Sequence, residues 1–434
     1  MEAKDETLKM RKRNMKLFPI YKMFGWDFLF FYTIDFLFLT QVKGISAADV
    51  VLKTTFFSVF GIIMQIPANI IVEFLGRKNA TILANIFNCI YMVIIMMSRS
   101  FYDLLLAELF YATAYAIKNV TETSILSESI PKSKYKSKIF SSINGRGASR
   151  YYLLNSISKV IAGFLFQVNG YLPLAISLGI LIISVILSMF FIEPVHGRKK
   201  IYINNMEIQE LKDIKQGFKF VLKSERLKAL ILSYGLISSI IQILMNYHVS
   251  LLEEIGISAA IIGLISATKS LISSYASKTE HYFHTKFRNK SITTIALMLS
   301  LSTIIAGICG LKTMKISIII IIAVWLIYGY AEGMYMTIRD KYLSNFSNKK
   351  IDTKIYAVSQ LTNNIAKVIG GLIASFLLDR MRTAYCMIII GIIFTILFIL
   401  TEKYMKTRVG LKPEQYSKEE RKYDELAEHY GTKK

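Results

Sequence analysis

Residue types that support disulfide, metal or catalytic chemistry are scarce in this chain of 434 residues. It contains three cysteines, Cys89, Cys309 and Cys386, and each lies inside an apolar block. Their number and spacing fit neither a disulfide framework nor a metal site. His281 and His284 are three residues apart, but they stand in a basic segment predicted to be a solvated loop. We therefore expect no metal, no cofactor, no catalytic residue and no enzymatic activity.

Charged residues are also few for a chain of this length. They make up 19% of the residues, against 53% hydrophobic residues, and the mean hydropathy is +0.43. This composition excludes an ordinary soluble domain. The apolar residues come in blocks of about 20, the length of a helix that crosses about 30 Å of hydrocarbon. We predict an all-α membrane protein with twelve transmembrane helices, at residues 24–42, 50–72, 80–98, 102–127, 150–169, 171–192, 228–250, 257–277, 291–311, 315–337, 354–378 and 384–402.

Positive charge is abundant, but its distribution argues against nucleic-acid binding. The chain has 53 Lys and Arg against 30 Asp and Glu, a net charge of +23. If the N-terminus is cytoplasmic, 42 of these 53 residues fall in segments on the inner side and seven in the outer loops. Such an excess follows the positive-inside rule and predicts that both termini are cytoplasmic. The basic character is then a topology signal that also favours contact with membrane lipids.

A stretch of nine residues occurs twice and indicates an internal duplication. The segment that begins at Asn155 reads NSISKVIAG, and the one that begins at Asn363 reads NNIAKVIGG, at an offset of 208 residues. In each copy the asparagine and the lysine, Lys159 or Lys367, are four residues apart and share one face of a helix. A lysine at a bilayer centre costs about 2.5–3.5 kcal/mol. Its occurrence at matching positions predicts that both lysines face the interior of a duplicated bundle.

The longest internal polar segment divides the chain into two halves. We predict an N-terminal six-helix bundle at 1–192 with a flexible or interfacial basic arm at 1–22, and a C-terminal six-helix bundle at 228–404. A cytoplasmic linker at 193–227 joins them, and 405–434 form a cytoplasmic tail. Six crossings in each half make the repeat parallel, about an axis along the membrane normal. The linker is predicted to hold an amphipathic helix, with an apolar stripe formed by Ile208, Leu211, Ile214, Phe218 and Leu222.

Several polar and charged residues fall inside the apolar blocks, where they are costly and mark candidate functional sites. Asp35 is interpreted either as a coupling residue or as the structural partner of a buried lysine. Lys118 and Glu122 share a helix face and could form a purely structural pair. Asp27 is interpreted as an end residue at the lipid headgroups. The predicted residues of a substrate or coupling cavity are Asp35, Lys118, Glu122, Asn155, Lys159, Lys269, Glu332, Asn363 and Lys367.

The segment after the second block carries a motif of a known family. Gly76, Arg77 and Lys78 match the end of the loop between helices 2 and 3 of major facilitator superfamily transporters, and Glu73 stands where the family has an aspartate. With the twelve helices and the midpoint linker, the chain resembles this superfamily. The resemblance implies two six-helix bundles that alternate access to a site near the midplane. It also implies that Glu73, Gly76, Arg77 and Lys78 form a gating loop.

The resemblance implies a secondary active transporter for a small solute, with a lysine-containing central cavity that favours an anionic or zwitterionic substrate. Titration of Asp35 or Glu122 would couple transport to protons, because burial favours the neutral form of a carboxyl group. An alternative is efflux of amphipathic drugs or peptides along an apolar wall of aromatic and methionine side chains. An alternative of another class is a non-transporting membrane sensor or scaffold. We expect a monomeric, multi-pass protein of the cell membrane.

Overall fold

The fold is described from a computed structural model of the chain. Most of the stripe predicted in the linker, from Ile208 to Ile214, and residues 407–434 of the predicted tail lie outside the described residues. Nothing in the structure therefore bears on these two predictions. The structure describes residues 2–131, 136–193, 215, 218–219, 221–287, 290–312, 314–345 and 352–406.

The described part of the chain is helical and contains no strand, which confirms the predicted all-α class. Helices in a membrane satisfy every backbone hydrogen bond within one segment, so an apolar chain of this kind has few other choices. The helices of the first part are α1 (Glu2–Gly25), α2 (Asp35–Leu37), α3 (Ala47–Ile63), α4 (Gln65–Met97), α5 (Phe101–Ser129), α6 (Lys136–Val168) and α7 (Leu172–Met189). Those of the second part are α8 (Glu225–Glu254), α9 (Ala259–Phe287), α10 (Ser291–Gly310), α11 (Lys315–Asn345), α12 (Asp352–Leu378) and α13 (Thr383–Lys406).

Eight helices of the described chain are long and apolar enough to cross a membrane. They correspond to α4 and α7–α13; α4 overlaps the two predicted blocks 50–72 and 80–98, and each of the others overlaps one predicted block. The other predicted blocks fall on helices that are shorter or more polar, so the number of twelve crossings stays a prediction. Several helices also continue beyond their block: α9 extends to Phe287 through the predicted loop that holds His281 and His284. Hydropathy marks only the part of a helix that spans the hydrocarbon, so the polar end of α9 was predicted as a loop. This prediction is wrong, because the helix continues to Phe287.

The prediction of one continuous helix at 24–42 is wrong. The helix α1 ends at Gly25, residues 26–34 are not helical, and the chain resumes as α2 followed by a π-helix at Phe38–Val42. Phe30 adopts a positive φ of 68°, which a bulky residue rarely does. Non-helical backbone is tolerated at membrane depth only where protein covers it. Here the side chains of Phe28, Phe31 and their neighbours up to Leu39 are almost all buried.

The basic N-terminal segment was predicted as a flexible or interfacial arm, but its part from residue 14 onward packs against other helices. Asn14, Phe18 and Tyr21 lie on one face of α1 and are 3%, 2% and 1% exposed. Phe18 and Tyr21 pack in a core cluster with side chains of α5, α6 and Phe191. The charge pattern hid this apolar face, because the lysines and arginines between these positions dominate the composition.

Asn14 joins α1 to two other segments. Its Nδ2 atom donates to Ser129 Oγ at 3.0 Å and to the Ile192 carbonyl at 2.7 Å, and its Oδ1 atom accepts from the Ile192 N–H at 2.9 Å. We expect Asn14→Leu to lower the free energy of unfolding by about 1–3 kcal/mol, because buried groups of Ser129 and Ile192 lose their partner. Thermal unfolding in detergent measures this change. Lys16→Ala, at an exposed position of the same helix, is the control and should unfold like the wild type.

Two compact units can be distinguished within the chain. One comprises residues 1–46, 56–208 and 258–267, and the other comprises 47–55, 209–257 and 268–434. In the first unit, small residues of α4 and α5 such as Ala80, Ala84 and Ala114 form a buried cluster. Small side chains let these two helices approach closely, as is common for helices in membranes. The predicted division of the chain at 193–227 stays a prediction.

The last glycine of each repeat lies at a close helix contact within its own unit. A Cβ atom on Gly163 would come within 2.5 Å of the Ala259 carbonyl, and one on Gly263 within 2.6 Å of the Lys159 carbonyl. In the other unit, a Cβ atom on Gly371 would collide with the Thr55 side chain. Gly371 corresponds to Gly163 and Thr55 to Gly263 at the same offset of 208 residues. The repeated motif therefore makes an equivalent packing contact in each unit.

Candidate functional site

An ion pair between two membrane-spanning helices is the centre of the candidate site in the second unit. The Nζ atom of Lys269 on α9 lies 2.6 Å from an Oε atom of Glu332 on α11. The two side chains are 16% and 24% exposed. The same ammonium stands 4.4 Å from the centre of the Tyr328 ring, one turn before Glu332. A carboxylate and an aromatic face therefore hold the lysine together.

A buried histidine completes the aromatic side of this site. The ring of His248 on α8 is stacked on Trp325 at 5.5 Å and on Tyr328 at 5.3 Å between centroids. Its Nδ1 atom lies 2.9 Å from the Leu244 carbonyl, so Nδ1 carries the proton that forms this hydrogen bond. The buried Nε2 atom has no hydrogen-bond partner among the described residues. His248 interacts electrostatically with Lys269 and belongs to the same polar cluster.

Glycines allow α9 and α11 to approach closely enough for this ion pair. A Cβ atom on Gly329 would stand 2.6 Å from Cγ of Lys269, and one on Gly333 would collide with the Ser273 carbonyl. Ser273 Oγ donates to the Gly329 carbonyl at 2.6 Å, and Ser277 Oγ donates to the Gly333 carbonyl at 3.0 Å. Glycines spaced four residues apart, and hydrogen bonds from serine hydroxyl groups to the neighbouring helix, are typical of closely packed helices in membranes. The absence of a side chain at Gly329 leaves room for the aliphatic part of Lys269, whose ammonium reaches Glu332.

We expect Gly333→Ala to destabilise the protein by about 1–3 kcal/mol, because the new methyl group meets backbone that cannot rotate away. The separation of α9 and α11 then increases and the Lys269–Glu332 pair lengthens. Thermal unfolding measures the loss. Gly179→Ala in α7 is a matched control, since a Cβ atom there meets nothing within 4 Å and alanine favours a helix. An unchanged melting temperature in both variants would contradict the close packing.

The first unit contains a second polar cluster around the end of α1. Nζ of Lys118 on α5 donates to the carbonyl of Gly25, the last residue of α1. Lys118 is also attracted by Glu122 and Asp27. Glu122 is attracted by both Lys118 and Lys22, and its Oε1 atom has no hydrogen-bond partner among the described residues. Two lysines and two acids therefore share this site.

Asp27 lies inside this cluster, and its interpretation as a headgroup residue is wrong. Its Oδ1 atom accepts the Phe28 N–H at 3.1 Å, and its Oδ2 atom accepts from Tyr151 Oη at 3.4 Å. Trp26 packs its ring on Tyr151 at 4.8 Å and carries the Lys22 ammonium 4.0 Å above its face. The end of α1 at Gly25 turns these side chains inward, which the prediction of a continuous helix did not allow.

Lys22 and the neighbouring aromatic residues were not predicted as part of any site. Lys22 is 7% exposed and donates to Asn144 Oδ1 at 2.7 Å. The hydroxyl groups of Tyr32 and Tyr111 are hydrogen-bonded to each other, and their rings pack against Phe28. The sequence signal that could have revealed this cluster is the aromatic run from Trp26 to Tyr32, the densest in the chain.

The loop with the family motif forms a charge network within the first unit. Arg77 pairs with Glu73 at 2.8 Å and lies 3.5 Å from Glu128 on α5. The Glu193 carboxylate accepts the backbone N–H groups of Arg77 and Lys78, each at 2.7 Å. These N–H groups follow the helix break at Gly76, and a helix start attracts anions. Glu193 and Glu128 were not predicted as members of this loop.

For the other predicted site residues, the structure gives the helix on which they lie and how far they are buried. Asp35 is 7% exposed at the first position of α2. Asn155 and Lys159 are half-buried on α6, and Asn363 is 4% exposed on α12 with its Oδ1 atom lacking a partner among the described residues. Lys367 is half-buried on α12 in the field of another cation, Arg339. The structure thus joins Lys118 with Glu122 and Lys269 with Glu332. The predicted role of the two repeat lysines in one cavity stays a prediction.

No metal-binding group of three or more His, Cys, Asp or Glu side chains occurs among the residues that the structure describes. The ionisable groups of both clusters instead contact one another, aromatic rings or backbone. Such sites can bind charged groups of a solute, and their acids can exchange protons.

Solved structures of transporters have the same fold. A D-xylose–proton symporter matches with a TM-score of 0.67 and 12% identity, over 93% of this chain and 98% of that protein. A transporter of the POT family in complex with 5-aminolevulinic acid matches with a TM-score of 0.65 and 14% identity, over 93% and 96%. A bacterial homologue of the human lysosomal transporter Spinster, in an inward-facing conformation, matches with a TM-score of 0.62 and 13% identity, over 98% of both chains.

At these identities the similarity shows the fold alone. No curated protein is similar to the chain in sequence. The family model of the Major Facilitator Superfamily, however, matches residues 22–311 and 251–429 and so covers most of the chain. This match confirms the family that the resemblance indicated. The chain is a multi-pass membrane protein that belongs to the major facilitator superfamily.

Proposed function

We propose that this protein is a secondary active transporter that moves a small charged solute across the cell membrane by alternating access. It has a translocation function and no enzymatic one. The observation that carries the proposal is the Lys269–Glu332 ion pair, which two membrane-spanning helices hold at 2.6 Å. An ion pair removed from water contributes little to stability, so its presence points to a functional role.

The Lys118–Glu122–Asp27 cluster supports the same proposal. It provides an acid whose Oε1 atom lacks a hydrogen-bond partner among the described residues, and such an acid can accept a proton. We propose Glu122 as a proton-coupling residue and Asp35 as a second candidate. The D-xylose–proton symporter with the same fold is proton-coupled by name, which is consistent with this assignment. The repeat lysines, Lys159 and Lys367, would add positive charge for an anionic or zwitterionic solute.

The topology completes the proposal. We propose twelve crossings in two six-helix halves, from the apolar blocks, and both termini in the cytoplasm, from the 42 basic residues that then fall in the inner segments. The charge network of Glu73, Arg77, Glu128 and Glu193 then lies at the cytoplasmic face. Contacts that form in one conformation only would bias a two-state transporter, and we propose this gating role for the loop.

The test is solute uptake into proteoliposomes that contain the purified protein, with and without an imposed pH gradient. We expect uptake of at least one small charged solute, stimulation by the gradient, and loss of the stimulation in Glu122→Gln. Glu402→Gln, in a half-buried position at the end of α13, is the control and should keep it. Uptake limited to lipophilic cations would favour efflux of amphipathic compounds. No uptake of any solute would contradict the proposal and favour a sensor or scaffold.

A further inference from the structure

The Lys269–Glu332 pair has properties that restrict the solute it can bind. Each partner is held by the other, and the lysine is also held by the Tyr328 ring, 4.4 Å away. A solute with one charge can satisfy only one of the two partners when the pair opens. The other partner would be left unpaired in a poorly hydrated site, and a buried uncompensated charge is strongly unfavourable. The pair therefore discriminates against solutes with a single charge.

A solute with both charges avoids this penalty. Its ammonium group can take the place of the Lys269 ammonium on the Glu332 carboxylate and the Tyr328 ring. Its carboxylate, or another anionic group, can then bind the displaced Lys269. The number of charge pairs rises from one to two, and the net charge of the site is unchanged. The present position of Lys269 shows that the carboxylate and the aromatic face accept a primary ammonium group.

We propose that the solute is a zwitterion with a primary amine and an acidic group, and that it binds by opening the Lys269–Glu332 pair. This inference rests on the proposed transport function and specifies its substrate class. Glu332 and Tyr328 receive the amine, and Lys269 receives the acid. Among the described residues, the titratable groups that approach the pair include Tyr328 on α11 and His248 on α8.

The side chain of Lys269 lies against a glycine and has several rotatable bonds. Gly329 leaves the space that the aliphatic part of Lys269 occupies between α9 and α11, since a Cβ atom there would stand 2.6 Å from Lys269 Cγ. Four single bonds of the side chain can rotate without any change in the backbone. His248 does not move with it, because its ring is stacked on both Trp325 and Tyr328. The aromatic wall thus stays in place while the pair opens.

The test compares matched probes on the purified full-length protein by thermal unfolding. The zwitterions are glycine, L-leucine, 4-aminobutyrate and glycyl-L-leucine. Each is compared with its ester or amide, which keeps the amine charge, and with its N-acetyl derivative, which keeps the acid charge. We expect at least one zwitterion to raise the melting temperature in a concentration-dependent manner. Its singly charged derivatives should require at least about tenfold higher concentrations, because each loses a charged partner.

A double variant tests whether the zwitterion raises the melting temperature by binding at the Lys269–Glu332 pair. Lys269→Met combined with Glu332→Gln removes both charges and keeps the shape of the side chains, and it should unfold as an intact protein without any shift from the zwitterion. The control is Lys228→Met with Glu225→Gln, which removes a more exposed ion pair of 2.5 Å and should keep the shift. The inference is overturned if a singly charged derivative stabilises as well as its zwitterion, if the double variant keeps the shift, or if no zwitterion stabilises the protein.

Rejection of the zwitterion inference would not reject the proposed transport function, which a separate experiment tests. Proteoliposomes that accumulate a singly charged solute, while zwitterions are neither bound nor taken up, would leave the transporter assignment intact and reject the substrate class. Proteoliposomes that take up no solute would reject the transporter assignment itself.

Discussion

Replacing Glu332 with glutamine is expected to lower the stability of the protein by about 3 kcal/mol and to abolish transport. The substitution keeps the shape of the side chain but leaves the Lys269 ammonium without its acid, 2.6 Å away in the native protein. The loss lies at the lower end of the range for a buried pair, because both side chains are partly exposed. Chemical or thermal unfolding measures the stability, and proteoliposome uptake measures the transport.

The double variant separates the cost of an unpaired charge from the value of the pair. Lys269→Met with Glu332→Gln should regain most of the stability that Glu332→Gln loses, since apolar or neutral replacements of a whole buried pair are often harmless. Transport should remain absent, because neither charge is available for the solute. If the single variant is as stable as the wild type, or if the double variant transports normally, the ion pair is not part of the translocation site.

Gly76→Ala is expected to produce the second large effect, on the loop that carries the family motif. Gly76 has φ 82° and ψ 165°, a conformation that is accessible almost only to glycine and costs about 1–3 kcal/mol for other residues. The new Cβ atom would also stand 2.8 Å from Glu193 Oε1, the atom that accepts the Arg77 N–H. The Glu193 side chain must then move and lose charged hydrogen bonds to the backbone. We expect a lower melting temperature and slower uptake.

The chain offers a control with a similar positive φ. Gly256, after α8, has φ 81°, but a Cβ atom there meets nothing within 4 Å. Gly256→Ala therefore places a side chain at positive φ without the collision, and it should destabilise the protein less than Gly76→Ala. Glu193→Gln tests the carboxylate itself. An unchanged melting temperature in Glu193→Gln would show that the carboxylate contributes nothing beyond the backbone strain at Gly76.

The length and spacing of the apolar blocks predicted the class of the protein, because the thickness of the membrane sets the length of a helix that crosses it. Helices are the only way to satisfy the backbone of these apolar segments, and the basic residues of the inner segments follow an insertion rule that acts along the chain. The family was predicted from the number of apolar blocks, the repeat, the midpoint linker and the partial motif of the loop at Gly76, Arg77 and Lys78. None of these inferences required knowledge of which residues are close in space.

The candidate site was predictable only in part. Lys118 and Glu122 share a helix, so their proximity follows from a spacing of four residues. Lys269 and Glu332 are 63 positions apart, and nothing in the sequence pairs them. Their partnership depends on Gly329 and on the close approach of α9 and α11. His248 was not predicted as a site residue, yet packing places it against Trp325 and Tyr328 and near Lys269.

The errors of the sequence analysis lie where tertiary contacts override local preference. Residues 26–34 are apolar enough to form a membrane helix, but their rings find better packing against Tyr91 and Tyr111 in a non-helical path. The basic segment before them was predicted as a flexible or interfacial arm, although Asn14 and Tyr21 lie in the core. The composition of a segment averages over all faces of its helix. Burial, in contrast, depends on which face of the helix packs against a neighbouring helix.

The sequence by itself determined the all-α membrane class, the superfamily and the presence of costly intramembrane charges, because each of these follows from properties that act along the chain. The tertiary structure alone decided which charges meet. It paired Lys269 with Glu332 against Tyr328, drew Asp27 and Lys22 into the cluster of Lys118, and placed Glu193 on the helix start after Gly76. Pairing energies depend on distances of a few ångströms between residues far apart in sequence, and only the packing of the helices sets those distances.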